Sequence, residues 1–556
     1  MTNLVTNVAG AVEEHGDNTA IGFQGSETSY EEFWGQTGAF AAALEERGVG
    51  EDDRVALYLP NVPPFLIAFH GTLRAGGVVV PMNPQYKARE IGHLLGDSEA
   101  KVVVALADLV PFVKEVQDET SVEHVVSIGG EAEGATEFEE FLERGVPDIA
   151  DRADDDVAVQ PYTSGTTGQP KGVQLTHENL SSNAKAAAKL IPDGIRPDDR
   201  SLGVLPLFHI YGMTVTMNAA LFNGGAYYPM ASWDAQDAVS LIEDEQLTIM
   251  HGVPAMYNDV INQPNAEEFD MSSLRLCGVG GSGIPVEVLR QFEERYEPKI
   301  YEGYGLTETS PITHFNSPIE GRRVGSIGKT VPGVDSKVVD SAERSSADRS
   351  GGDEPPEDDD FGEVPPVEEG PIDEESVAAE TRRGESGEAA GAADLHEITG
   401  EIVVAGPNVM KGYYGLPEAN EEAFTEEDGR RWFHTGDIGY HDEDGFFYVV
   451  DREKHMIVTG GYNVYPREVE ELLFEHPDVA DAAVAGIPDE RRGETVKAFV
   501  VRTPDGDVTE EEIKEYCLTN LAEYKHPREV EFVDELPRTT TGKVQKFKLR
   551  EGEGDD

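Results

Sequence analysis

Over residues 1–340, short β-branched runs alternate with stretches of helical periodicity, and this alternation limits the fold more than any other feature. VALYLP at 55–60, GGVVVP at 76–81 and KVVVAL at 101–106 read as buried strands, and AFAAALEERG at 39–48 reads as a helix between strands. Strands that alternate with helices form largely parallel sheets, because a parallel crossover needs a long connection and the helix supplies it. The predicted class is α/β, with a large N-terminal domain of mixed and parallel sheets flanked by helices over 1–452.

Residues 341–397 break the pattern. They hold 19 acidic and four basic residues, Pro-Pro pairs and few large apolar side chains. Such a segment cannot bury enough apolar surface to offset the entropy of ordering it. It reads as a disordered acidic insertion. Periodic structure resumes at GEIVVAGPNVMKGYY (400–414), and DEDGFFYVVDREKHMIV (442–458) reads as a β-hairpin followed by a linker. PREVEELLFEH (466–476) predicts a helix with Pro466 at its first position and Val469, Leu472 and Leu473 on one face. AAVAGIP and KAFVVR (497–502) read as strands, and TEEEIKEYCLTNLAEY (509–524) as a helix. The expectation is a small, mobile C-terminal α+β domain over 453–556, attached by a polar stretch near 451–455.

Charge restricts the partners. The 556 residues carry 44 Lys+Arg against 108 Asp+Glu, a formal charge of −64. Binding nucleic acid means neutralising phosphates with Lys and Arg, so nucleic acid is excluded as a partner, and anionic lipid is disfavoured. With 38% hydrophobic residues the chain can still build large cores. The acidic surface and the choice of 27 Arg over 17 Lys suggest a halophilic protein in a high-salt cytoplasm, where ions screen self-repulsion. Cys277 and Cys517 give no disulfide framework. No run approaches the ~20 apolar residues of a transmembrane helix. The N-terminus lacks a secretory pattern, and LREGEGDD is neither a lipidation nor a peroxisomal signal. A cytoplasmic protein is expected, its oligomeric state left open.

The sharpest chemical signal is YTSGTTGQPKGV at 162–173. Thr163, Ser164, Thr166 and Thr167 surround Gly165 and Gly168, and Lys171 follows. Glycines let backbone N–H groups approach phosphate oxygens, hydroxyls add donors, and the lysine adds charge. A Walker A loop runs straight from Gly-Lys-Ser/Thr into a helix, whereas Pro170 and Gly172 oppose one here. The next helix is expected to begin at Thr176, acting as N-cap. A functionless Ser/Thr/Gly linker is the bland alternative, and the density of donors argues against it.

This loop resembles the signature of the adenylate-forming enzymes, which include acyl-CoA synthetases, aryl-CoA ligases, luciferases and peptide-synthetase adenylation domains. Further motifs follow in that family's order: LPLFHIYGM at 205–213, GGSGIP at 280–285, YGLTE at 304–308, HTGD at 434–437, DREKHMIVTGGYNVYPREVE at 451–470 and PRTTTGKVQK at 537–546. The resemblance covers nearly the whole chain outside 341–397. LPLFHIYGM and GGYNVYPREVE look most like fatty acyl-CoA synthetases.

The resemblance implies a carboxylate attacking the α-phosphorus of ATP, with Mg²⁺, and the thiol of CoA then attacking the acyl adenylate. It assigns Lys543 as the catalytic lysine bridging carboxylate and α-phosphate, beside Lys171 and the 163–168 loop. Tyr304 would stack adenine, with Gly305 beside it. Thr307 would donate to the α-phosphate and Glu308 would hold Mg²⁺. Asp437 and Arg452 would contact the ribose, and Gly280, Gly281 and Ser282 would wall the adenine. There the family shows Ser-Ala-Pro-type wording, where this chain has Gly281-Ser282-Gly283. His209, Tyr211, Gly212 and Met213 would line the acyl site. Lys454 would be the hinge about which the C-terminal domain rotates, presenting Lys543 in one orientation and the 460–463 loop in the other. Gly460 and Gly461 would let the pantetheine arm pass.

Out of this context most of these residues have plainer readings: Lys543 and Arg452 as solvated cations, Tyr304 and His209 as packing residues, Glu308 as one more surface acid. The rival functions are an aryl- or short-chain acid–CoA ligase, an adenylating enzyme that loads a carrier protein, and a non-catalytic nucleotide-binding scaffold. No carrier domain is evident after PRTTTGK.

Overall fold

The computed structural model of the chain describes residues 3–164, 170–339, 399–452, 456–459, 462–489, 492–504, 506–538 and 544–550. The expected strands form at Arg54–Tyr58, Val78–Pro81 and Val102–Leu106, and the expected helix spans Tyr30–Glu46. Ser29 caps that helix, accepting the Glu32 N–H while the Glu32 carboxylate accepts the Ser29 N–H.

Two nine-stranded sheets make up the larger part. The first has at its centre Ile300–Gly305, Leu276–Val279, Ile249–Gly252, Arg200–Gly203, Ala226–Pro229 and Thr19–Phe23, neighbours in that order and parallel throughout. Antiparallel strands flank it, Ser26–Ser29 on one side and Ile312–Phe315 followed by Lys329–Thr330 on the other. The second sheet runs parallel from Val157–Val159 through Val78–Pro81, Arg54–Tyr58, Val102–Leu106 and His124–Ile128 to Thr136–Glu137. At its other edge the antiparallel strand Pro170–Thr176 pairs with Tyr162–Ser164 and with Gly412–Tyr413. A core including Phe33, Phe40, Phe65, Phe69, Leu57, Leu207 and Met213 packs against both sheets.

A five-stranded sheet adds Asp335–Val339, Gly400–Ala405, Arg430–His441, Phe424–Glu427 and Phe447–Arg452. The hairpin expected within 442–458 begins earlier: Arg430–His441 pairs with Phe447–Arg452, and the start of the expected range is its turn, held by Asp442 Oδ1, which accepts the N–H groups of Asp444 and Phe446 at 3.0 Å. Strands Asp335–Val339 and Gly400–Ala405 are antiparallel neighbours, with Val339 opposite Glu401. The acidic insertion read as disordered lies outside the described residues, but its two ends leave one hairpin side by side. Loop closure costs little more as a loop lengthens. A chain with 341–397 replaced by a short Gly/Ser turn should therefore keep its turnover within about twofold. Steady-state rates, with circular dichroism as the folding control, check this. Lost ligation in a folded variant would show that the insertion acts in the reaction.

The last sheet joins Tyr462–Val464, Ile457–Thr459, Gly493–Arg502, Val479–Asp489 and Glu529–Phe532. Helices Pro466–Phe474 and Glu510–Asn520 pack on it around Val469, Leu473, Val484, Val500, Ile513 and Cys517. The helix expected over 509–524 stops at Asn520, because Leu521 turns to an extended conformation. Both cysteines are free and buried. Among the described residues no helix is long and apolar enough to cross a membrane.

Four buried histidines make the fold acid-sensitive. Burial pushes His70, His177 and His251 down to about 4 and His314 down to about 3. Each stays neutral in the fold, while in the unfolded chain it binds a proton below about 6.5. Acid therefore favours unfolding, by about 1.4 kcal/mol per pH unit for each histidine between its two pKa values. Burial also pushes the Glu302 carboxyl up to about 7, which acts in the opposite sense, but it is one group against four. Melting temperatures should fall from pH 7 to pH 5, above the range where ordinary carboxylates protonate. A flat profile would contradict this.

Candidate active site

In an open parallel sheet, ligands bind beyond the carboxyl ends of the strands. At that end of the first sheet, neighbouring strands deliver three of the singled-out segments. Arg200–Gly203 leads into the 205–213 motif, Leu276–Val279 into Gly280–Ser282, and Ile300–Gly305 carries Tyr304 toward Thr307 and Glu308. Between them Ile249–Gly252 carries His251.

The Gly303–Gly305 segment is the end of a strand paired with Ile312–Phe315. The reason is close approach: a Cβ on Gly305 would lie 1.9 Å from the Pro311 carbonyl oxygen. Thr307 opens the short 3₁₀ turn Thr307–Thr309. Buried asparagines hold the surrounding backbone. Asn183 pairs with both polar groups of Ile312, at 2.7 and 3.1 Å, and Asn408 donates to Thr309 O at 2.8 Å. Asn179 donates to Pro407 O and Val409 O at 2.8 and 2.9 Å.

Tyr304 and Asp437, singled out from separate motifs, meet in the fold. The tyrosine hydroxyl donates to Asp437 Oδ2 at 2.5 Å, and the aspartate is 2% exposed. Behind Tyr304 stand His314, ring to ring at 5.8 Å, and Phe447 beyond it at 4.6 Å. Strand register places Arg452 opposite Asp437.

The phosphate segment is a hairpin. Tyr162–Ser164 pairs with Pro170–Thr176, setting Lys171 opposite Thr163 and Pro170 opposite Ser164. Lys171 thus sits on a strand, and the helix begins after Thr176, whose hydroxyl accepts the Asn179 N–H, as predicted. Gly165, Thr166, Thr167 and Gly168 lie outside the described residues, as do Lys454, Gly460, Gly461 and Lys543. The described ends of the last loop, Arg538 and Val544, bridge each other.

Tyr413, which the sequence reading missed, joins two predicted residues. Its strand pairs with Pro170–Thr176, Val173 opposite Tyr413. Its ring lies 5.0 Å from Lys171 Nζ and its hydroxyl donates to Glu308 Oε1 at 2.9 Å. Cation, ring and carboxylate form one relay. Burial and the Glu308 charge push the Tyr413 phenol up, so it stays a donor. Met410 N–H donates to the Glu308 carbonyl at 2.8 Å. Among the described residues no group of three or more His, Cys, Asp or Glu converges as a metal cage. Glu308 fits the way Mg²⁺ is usually held, by one or two carboxylates, substrate phosphates and water.

The expected acyl segment is fixed by another missed residue, buried Asn61. It donates to Gly203 O and Leu205 O at 2.8 Å and accepts the Leu207 N–H at 2.7 Å. His209 Nδ1 accepts the Tyr211 N–H at 3.4 Å. Tyr211 is half-buried. Its hydroxyl meets His251 Nδ1 at 3.1 Å, and its ring touches the wall, since a Cβ on Gly280 would lie 3.0 Å from Tyr211 Cε1. Gly212 opens a buried π-helical stretch, Gly212–Asn218, with Met213 in the main core. Gly281 and Ser282 are exposed. Proline-flanked Asn61 and aromatic Tyr413 carried a faint signal at most, because their partners lie over a hundred residues away in sequence.

The carboxyl ends of these parallel strands, where ligands bind in open α/β sheets, gather the Tyr304–Asp437 pair, and Tyr413 joins Lys171 of the 162–176 hairpin to Glu308 beside them, an arrangement typical of ligand-binding α/β enzymes. Residues 8–353 match the AMP-binding enzyme family, and residues 468–543 match the AMP-binding enzyme C-terminal domain. A long-chain-fatty-acid–CoA ligase of Bacillus subtilis is 34% identical, covering 97% of this chain and 92% of that protein. A feruloyl-CoA synthase of Amycolatopsis is 34% identical over 96% of this chain and 95% of its own. The crystal structure of ATP-bound MatB from Rhodopseudomonas palustris superposes with a TM-score of 0.81 at 30% identity, covering 100% of this chain and 99% of that one. The chain belongs to the AMP-binding enzyme family, among acid–CoA ligases that form carbon–sulfur bonds.

Proposed function

We propose that the protein is an ATP-dependent fatty acid–CoA ligase, acting on medium- or long-chain acids. It forms an acyl adenylate with release of pyrophosphate, then the acyl-CoA with release of AMP. The observation that carries this reading is the Lys171–Tyr413–Glu308 relay at the sheet end that also presents Tyr304 on Asp437. In the first step the acid's carboxylate oxygen attacks the α-phosphorus and the bond to pyrophosphate breaks. Both reactants are anions, so the chain must supply positive charge and oriented donors. Thr163–Gly168 and Lys171 hold the phosphates, Thr307 donates to the α-phosphate, and Lys543 bridges it to the incoming carboxylate. Mg²⁺, held by Glu308 and the phosphates, would neutralise charge on the leaving pyrophosphate. Tyr304, Gly305 and Gly280–Ser282 seat the adenine, and Asp437 with Arg452 the ribose. His209, Tyr211, Gly212 and Met213 bound the acid.

For the second step we place a boundary at 452/453, with 453–556 turning about Lys454 so that Gly460 and Gly461 line the path of the CoA thiol. The thiol attacks the acyl carbon and AMP departs. The acidic composition supports a high-salt cytoplasm as the setting.

The Tyr211–His251 pair favours a second reading. Burial keeps His251 neutral, and a polar pair where the acid's tail would enter suits an aryl or hydroxylated acid. Pyrophosphate release across a panel of fatty and aryl acids, with and without CoA at high salt, tests both. Turnover of fatty acids that requires CoA supports the first reading, preference for aryl acids the second. Formation of AMP with no acid at all would refute ligation.

A further inference from the structure

Arg467 takes no part in the steps above, yet it reaches from the C-terminal unit to Glu302 of the first sheet. It occupies the second position of the Pro466–Phe474 helix, where the first-turn N–H groups lack helical partners. Its own N–H is satisfied by Asp451 Oδ2 at 3.1 Å. The side chain is anchored by Glu471 Oε1, which accepts from Nε at 3.0 Å, and by Val449 O, which accepts from Nη1 at 3.3 Å. Nη2 lies 4.0 Å from Glu302 Oε1. Glu302 is 6% exposed and stands two residues before Tyr304 on the same strand, hence on the same face.

A second, independent observation meets this one. A Cβ on Gly283 would lie 2.2 Å from Arg467 Nη2 and 2.7 Å from its Cζ. The guanidinium occupies the volume that any side chain at 283 would need. Gly283 ends the segment that departs from the family's Ser-Ala-Pro-type wording, so the departure and the arginine explain each other.

We propose that Gly283 and Arg467 form a matched seat, walled by Glu302, that positions the C-terminal unit against the strand bearing Tyr304 in one of its two orientations. Arg467 is a positioning residue. The seat rests on the reading that this unit turns between the two half-reactions. Truncating Arg467 removes the cation that faces the buried Glu302 carboxyl, and an alanine at 283 expels the guanidinium, so both substitutions disfavour the same orientation. Burial pushes the Glu302 carboxyl up to about 7, with Arg467 pulling it down and Glu471 pushing it up. Above that pH the carboxylate is charged and holds Arg467. Below it the ion pair is lost, while the contacts of Arg467 with Glu471, Asp451 and Val449 remain.

The test measures both half-reactions on the full chain: ATP–pyrophosphate exchange, and thioester formation from supplied acyl adenylate and CoA. Arg467→Ala and Gly283→Ala should each shift the ratio of the two rates by about 10-fold in the same direction. The double variant should shift it no further than either single one. Arg467→Lys, which keeps the charge and the fold, should fall between. Glu302→Gln should flatten the dependence of the ratio on pH between 6 and 8. An unchanged ratio in either alanine variant, equal loss of both half-reactions, or two shifts that multiply in the double variant would overturn the seat. Lys543→Ala is the control. If it lowers both half-reactions equally, the two-orientation reading itself fails. If it separates them while Arg467→Ala does not, the seat alone fails.

Discussion

Lys543→Ala is expected to lower acyl-adenylate formation by at least ~10³-fold while thioester formation from supplied acyl adenylate stays within a few-fold of wild type. The first half-reaction brings a carboxylate against a triphosphate, so its transition state gathers negative charge that both reactants already carry. A single ammonium aimed at that charge is worth most where it builds, and nothing in the second half-reaction needs it. The chain has 17 lysines against 108 acidic residues, and one follows PRTTTG in the last motif. Stopped-flow or exchange assays of the separate half-reactions at high salt decide the matter. Equal loss in both would count against the two-orientation reading and against a role for Lys543 confined to adenylation.

Glu308→Gln is expected to cut adenylation by ~10²–10³ and to raise the Mg²⁺ concentration needed for half-maximal rate, with the acid's KM little changed. The amide is nearly isosteric and can still accept the Tyr413 hydroxyl, which the carboxylate takes at 2.9 Å. The change therefore removes the charge and keeps the packing. Tyr413→Phe separates the two parts of the relay: it keeps the ring under Lys171 and deletes the bond to Glu308, so its effect should be smaller and should not move the Mg²⁺ requirement. If Glu308→Gln alters rate without altering that requirement, the carboxylate is a structural partner of Tyr413 and not a metal ligand.

Much of the fold was legible because it rests on local periodicity. Strands such as Val102–Leu106 and the helix Tyr30–Glu46 follow from runs of apolar residues at spacings of two and of three to four, and the N-cap at Thr176 follows from its hydroxyl alone. The helix expected over 509–524 was read four residues too long, since the turn of Leu521 to an extended conformation leaves no mark on the apolar spacing. Of the candidate site, the pairing of Tyr304 with Asp437 joins two residues named from their motifs. Asn61, Asn183 and Tyr413 carry no motif, Arg467 lies in a motif that gave it no role, and each acts on a partner brought close by the fold.

The order of strands and helices, the chemistry offered by each loop and the acidity of the surface are properties of the chain read along its length, because hydrogen-bonding capacity, charge and apolar spacing belong to residues. Which loops share an edge, what lies against Gly283 and what stands between Lys171 and Glu308 were decided in three dimensions. Those depend on packing between segments hundreds of residues apart, where an ångström of space determines whether a side chain fits and a linear sequence holds no distance.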